Sequence, residues 1–148
     1  MHASDWERAS SLSLLDVATA GDTKKPFLSA RAHIRAAVIA HRLGRTLDAF
    51  SSLREGRGAA AQISDNRFAQ RTRYDLDVAE ALIVRERAPG SALVLLDRAI
   101  EFYSSAGLRL LLPDLYLQRA RTRLSAGDEN SASRDLDLAW TSSSGNAA

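Results

Sequence analysis

Residues 115–140 read LYLQRARTRLSAGDENSASRDLDLAW, two stretches of Leu, Ala and Arg parted by Gly127 and Asp128. Leu, Ala and Arg are strong helix formers, and a glycine after a periodic run is a helix stop. On the first stretch Tyr116 and Ala120 stand four apart, on one helix face. On the second, Ala132, Leu136 and Ala139 recur at i, i+4 and i+7. A short turn between two such helices makes an antiparallel hairpin. Small residues at the crossing let the two rods approach closely, and bulkier ones fill the gaps beside them.

The same pattern recurs upstream. Leu76, Ala79, Ile83, Ala92, Leu96 and Ala99 occupy corresponding places in a middle segment, where Glu80 stands in for a small residue. An earlier segment offers Ala36, Ala37, Leu43, Gly44, Ala49, Leu53 and Gly56. The recurring alanine passes from Ala49 to Ala92 to Ala132, separations of 43 and 40 residues. Such self-similarity indicates a helical repeat. Strand signals are nearly absent, since β-branched residues are sparse and no stretch alternates apolar with polar for long.

Punctuation by Gly, Pro, Asp and Ser predicts about seven helices. The first spans 4–20, with Ser4 and Glu7 as a capping box and Gly21 as its stop. The second opens at Pro26 and ends at Gly44. A third covers 46–63, weakened or broken at Gly56 and Gly58. The fourth runs over 66–86 with Phe68, Leu76, Ala79, Ile83 and Val84 on its apolar side. The fifth covers 89–105, the sixth 113–127 and the seventh 128–140. The reading is a single all-α domain over 1–141, with units at 31–64, 66–106 and 113–141 and a disordered tail at 142–148.

The third unit resembles a tetratricopeptide repeat, through Tyr116, Ala120, Gly127, Asp128, Ala132, Leu136 and Ala139. Arg119 and Arg123 sit where that family usually has Leu and an aromatic. The resemblance covers residues 31–141, strongest at the C-terminal end. It implies a right-handed superhelical array of about three hairpins preceded by one helix. The separations exceed the family's period of about 34, so HEAT-type repeats are the competing architecture. The phrase AIEFYSSAGLRLLLPDLYLQRARTRLSAGD at 99–128 is similar to tetratricopeptide segments of large bacterial signalling proteins. In those, the array adjoins a CHAT caspase-like protease domain, or a signal-transduction ATPase and a DNA-binding domain.

Composition narrows the function classes. The chain has 148 residues, with 45% apolar and 26% charged, as in folded domains. With no cysteine, disulfides, thiolate metal sites and cysteine nucleophiles are excluded. No apolar run approaches the length of about 20 that a membrane helix needs, and residues 1–10 lack a secretory pattern. A cytoplasmic protein with no membrane partner is the expectation. The net charge of +2 is uneven: residues 30–73 hold nine Arg against three acids, and residues 74–148 hold eight against eleven. Nucleic-acid binding by the basic segment 31–73 is the alternative reading, ranked second because no recognition motif accompanies it.

Catalysis finds no motif. His33 and His41 lie eight residues apart on one helix, and no HExxH, paired-carboxylate or glycine-rich phosphate loop occurs, so no metal, cofactor or catalytic residue is expected. The resemblance implies a noncatalytic binding scaffold instead, with a protein segment or partner helix in a concave groove. Carried over by position, that groove takes Arg31, Ile34, Val38 and Arg42 from the first unit. Tyr74, Asp77, Ala81 and Arg85 follow from the second, and Asp114, Leu117, Arg121 and Leu124 from the third. Arginine among aliphatic and aromatic groups suits an acidic or carboxylate-bearing partner, although the Lys and Asn set of the family's carboxylate clamps is missing. Arg119 is expected to pair with Asp135 or Asp97 in a structural role. Exposure of Leu138 and Trp140 would favour cover by a neighbouring domain or a homo-oligomer through the terminal helices.

Overall fold

The computed structural model describes residues 3–22 and 25–145. Seven α-helices follow in order: α1 (Ala3–Asp22), α2 (Pro26–Arg42), α3 (Thr46–Ala61), α4 (Asn66–Val84), α5 (Pro89–Ser105), α6 (Leu112–Ser125) and α7 (Glu129–Gly145). A 3₁₀ turn at Arg109–Leu111 leads into α6, and no strand occurs among the described residues. The chain divides into two compact units, residues 1–83 and 84–148. The division falls within the span 66–106 that the repeat pattern groups together.

Three glycines build the sharpest turns. Gly44, Gly107 and Gly127 have φ of 73°, 72° and 78°, the left-handed region in which a side chain is strained. Each sits one residue past a helix C-cap and closes it twice. At the α2 end, Gly44 N–H donates to His41 O at 2.9 Å and Arg45 N–H to Ala40 O at 2.9 Å. Gly127 and Asp128 repeat this pattern on Leu124 O and Arg123 O, at 3.0 and 2.9 Å. Both turns fold a helix back on its predecessor, so α3 packs along α2 and α7 along α6. The next helices are started by Asp65, whose Oδ1 accepts from Arg67 and Phe68 N–H, and by Asp128, whose Oδ1 accepts from Ser131 N–H at 3.1 Å.

In the first unit the core is mostly alanine. Ala30, Ala37 and Ala40 of α2 meet Ala49, Leu53 and Ala60 of α3, and Leu76, Ala79 and Ile83 of α4 close the cluster. Gly56 faces this junction: a Cβ there would lie 2.9 Å from Leu76 Cδ2 and 3.3 Å from His33 Cβ. The glycine therefore does not break α3, which is continuous from Thr46 to Ala61; it lets α4 approach. Arg57, one residue on, donates to Asp77 Oδ1 at 3.0 Å and to Glu80 Oε2. Glu80 departs from the small residue of the repeat pattern because it receives this arginine. Two ion pairs tie down α1: Arg35 of α2 to Asp16 at 2.8 Å, and Arg45, at the α3 N-cap, to Glu7 at 3.1 Å.

The second unit is organised by α5, whose Ala92, Leu96, Ala99, Ile100 and Tyr103 are buried. On α6, Leu112, Leu115, Ala120 and Thr122 are buried; on α7 only Ala132 and Asp135 are. Arg119 pairs with both expected acids, donating to Asp97 Oδ1 at 2.7 Å and to Asp135 Oδ1 at 2.7 Å. Arg123 adds a 2.9 Å contact to Asp135 Oδ2. Burial opposes the Arg119 charge, but the hydrogen bonds it donates to Asp135 and Asp97 and their Coulombic attraction together outweigh this and raise its pKa.

Several boundaries differ from the sequence expectation. Ser4 and Gly21 both lie inside α1, so neither marks its end. The seventh helix continues past residue 141 to Gly145, and along this stretch the hydroxyls of Thr141, Ser143 and Ser144 donate to the carbonyls of Asp137, Ala139 and Trp140, at 2.8, 2.9 and 3.0 Å. Residues 146–148 of the expected tail lie outside the described residues.

Candidate functional site

On α2 the helical repeat places Arg31, Arg35 and Arg42 within a sector of about 40°, and all three are exposed. The Arg31 guanidinium carbon lies 5.5 Å from the centre of the Phe27 ring, a cation–π contact. Arg35 is engaged by Asp16, whereas Arg42 has no acidic partner among the described residues. On α4, Arg67, Arg71 and Arg73 are likewise exposed and without an acidic partner among the described residues. The acids of this unit are largely taken: Asp77 and Glu80 by Arg57, Asp16 by Arg35, Glu7 by Arg45, and Asp65 by the α4 N-terminus. The excess of arginine noted in the sequence is thus a surface excess on α2 and α4.

Beside it opens an apolar cleft of about 400 Å³, lined by Pro26, Phe27, Leu28, Ile63 and Phe68, with Lys25 and Asp65 at its margin. Phe27 and Phe68 meet edge to face, their centroids 5.5 Å apart. Phe68 was expected on the buried side of the fourth helix, yet it is 53% exposed. Its position in the first turn of α4 places it at the open end of the α2–α4 contact, where no further turn covers it. Neither Phe27 nor Ile63 was a sequence candidate. The only available signal was an aromatic directly after Pro26, at the start of a helix.

The expected groove residues separate into two groups. Arg31, Arg42, Asp114 and Arg121 are exposed, and Leu124 with them. Ile34 and Val38 are half-buried against the alanine core, Tyr74 and Leu117 are half-buried, and Ala81 is buried. Asp77 is 7% exposed and committed to Arg57, so its carboxylate serves the α3–α4 junction. Arg85 is largely buried: its Nε donates to Glu86 at 3.1 Å, and its Nη1 has no hydrogen-bond partner. In the first unit, then, the exposed groups without an acidic partner among the described residues include arginines of α2 and α4, with Arg67 and Arg71 on one side of α4 and Arg73 on the other.

A second, polar cleft of about 530 Å³ is lined by Lys25, Ser29, His33, Glu55 and Gln62. Burial lowers the His33 pKa and Glu55 partly offsets it. The folded protein thus binds a proton at His33 less readily than the unfolded chain does. Stability is expected to be full above the unfolded pKa of about 6.5 and to decline as the pH falls from there through the depressed folded value. Denaturant unfolding at pH 7 and pH 5, with His33→Gln flattening the difference, checks this. Among the described residues no group of three or more His, Asp or Glu could hold a metal ion, and no helix is long and apolar enough to cross a membrane.

Comparison with protein-family models, with curated proteins and with solved structures finds no match for this chain.

Proposed function

We propose that the chain is a noncatalytic interaction module that holds an acidic protein segment against the arginines of α2 and α4, with an apolar side chain of that segment seated between Phe27, Ile63 and Phe68. The carrying observation is an open apolar cleft at the N-terminal ends of α2 and α4, with Arg31, Arg67 and Arg71 on the first turns of those helices, exposed and without an acidic partner among the described residues; Arg42 extends the basic side of α2 beyond it. Unpaired guanidinium groups bind carboxylates through two parallel hydrogen bonds, and a desolvated apolar anchor supplies most of the affinity in interfaces of this kind.

In this reading the hairpins stack as tetratricopeptide-like repeats in a right-handed superhelix. The first helix of each hairpin then carries the groove positions, which in the second unit are Asp114, Leu117 and Arg121. A regulatory role in the bacterial cytoplasm, beside a signalling effector, is the setting that the sequence resemblance favours.

Fluorescence anisotropy with a labelled acidic peptide carrying one Phe or Leu tests the site. Arg42→Ala is expected to weaken binding about threefold to tenfold, and Phe68→Ala about tenfold or more. Unchanged affinity in Arg42→Ala, Phe68→Ala and Arg121→Ala would remove the assignment. The basic surface also fits nucleic acid. A duplex that binds with a steep loss on adding salt, where the peptide does not bind, would transfer the site to that partner.

A further inference from the structure

Counted from Ala49, Ala92 and Ala132, helices α3, α5 and α7 carry the same register. Four residues on stand Leu53, Leu96 and Leu136; seven on, Gly56, Ala99 and Ala139; eight on, Arg57, Ile100 and Trp140. On α3 and α5 this face is covered by the following helix. Leu53 is 3% exposed and Leu96 0%. Arg57 is spent on α4, and Ile100 is buried. On α7 the same positions are open: Leu136 is 46% exposed and Trp140 76%. Five residues past the alanine, Asp97 accepts from Arg119 of the next helix at 2.7 Å, and Asp137 of α7 stands at the matching position, exposed and without a basic partner among the described residues.

We infer that α7 is a docking surface for a partner helix of α6 chemistry, an amphipathic helix with an arginine set inside its apolar stripe. Leu136 and Trp140 receive the apolar groups, and Asp137 receives the arginine as Asp97 receives Arg119. The charge selects the occupant. A second copy of α7 offers one arginine, Arg134, which lies outside the Leu136–Trp140 stripe and donates to Ser131 Oγ of its own helix at 2.9 Å, whereas α6 carries Arg119 within its apolar stripe. Ala139, small like Ala99 and Gly56, lets the incoming backbone come close. The surface is separate from the arginine face of α2 and α4, and its test does not depend on that reading.

A synthetic peptide of residues 112–126 is the probe, added to the full chain with Trp6→Phe so that Trp140 is the one tryptophan reporting. A saturable blue shift of Trp140 emission is expected. The peptide carrying Arg119→Ala should bind about tenfold more weakly, and Asp137→Asn in the protein should reproduce that loss. Leu136→Ser, at an exposed position that leaves the fold intact, should abolish the shift. No saturable shift, or one insensitive to Leu136→Ser and Asp137→Asn, would overturn the inference. So would sedimentation showing a dimer whose Trp140 is already blue-shifted without peptide, since the occupant would then be a second copy.

Discussion

Asp135→Ala is expected to destabilise the second unit by about 3–5 kcal/mol, the cost of stranding buried charge. Asp135 is 0% exposed and lies in the middle of α7, with Arg119 and Arg123 of α6 converging on its two oxygens. Removing the carboxylate leaves two guanidinium groups with most of their surface withdrawn from water; only Arg119 retains an acid, through Asp97. Since α7 buries just Ala132 beside Asp135, this carboxylate supplies a large share of what holds it. Thermal unfolding should shift by roughly 10 °C, and hydrogen exchange should show α7 losing protection before α5. Asp97→Ala, removing the exposed end of the same network, should cost no more than about 1 kcal/mol. Replacing the cluster together, with Arg119→Met, Arg123→Met and Asp135→Leu, should recover most of the loss, because the penalty lies in unpaired charge rather than in missing attraction. Equal effects of Asp97→Ala and Asp135→Ala would contradict this account.

The second large effect is expected at the α3–α4 junction. Leu76 is 0% exposed, and its Cδ2 lies 2.9 Å from where a Gly56 Cβ would stand. Leu76→Ala should cost about 2–5 kcal/mol, the lost burial plus the cavity left behind. Gly56→Val should cost about 1–3 kcal/mol by forcing α4 away, despite the gain that any residue other than glycine or proline brings to a helix. Gly58, two residues on, is the control: nothing lies within 4 Å of its Cβ position, so Gly58→Ala should stabilise by about 0.5–1 kcal/mol. Gly56→Ala and Leu76→Ala combined should fall short of their sum by more than about 0.5 kcal/mol, because the shortened side chain vacates the space the methyl needs. Additive costs would mean that Gly56 does not report on close approach.

These two sites show where the sequence could be read and where it could not. The helices, the glycine turns at 44 and 127 and the pairing of Arg119 with Asp135 and Asp97 were legible, because each follows from periodicity within a helix or from a charge that has to be neutralised. Gly56 was read both as a small residue of the repeat and as a point where the third helix weakens or breaks; the helix is continuous, and the reason for the glycine is Leu76, twenty residues away. Asp77 was assigned by position to a groove, but Arg57 on another helix takes it. Phe68 has the spacing of a core residue and is exposed only because it lies in the first turn of its helix. Local pattern states which face is apolar; which neighbour covers that face depends on tertiary contacts that no spacing encodes.

The most direct measurement of the central claim is amide chemical-shift mapping on the labelled full chain as an acidic peptide with one aromatic anchor is added. The largest changes are predicted at residues 26–42 of α2 and 66–74 of α4, around Arg31, Arg42 and Phe68, and they should fade as salt is raised. Changes concentrated on α3 and α5 instead, or none at millimolar peptide in low salt, would contradict it.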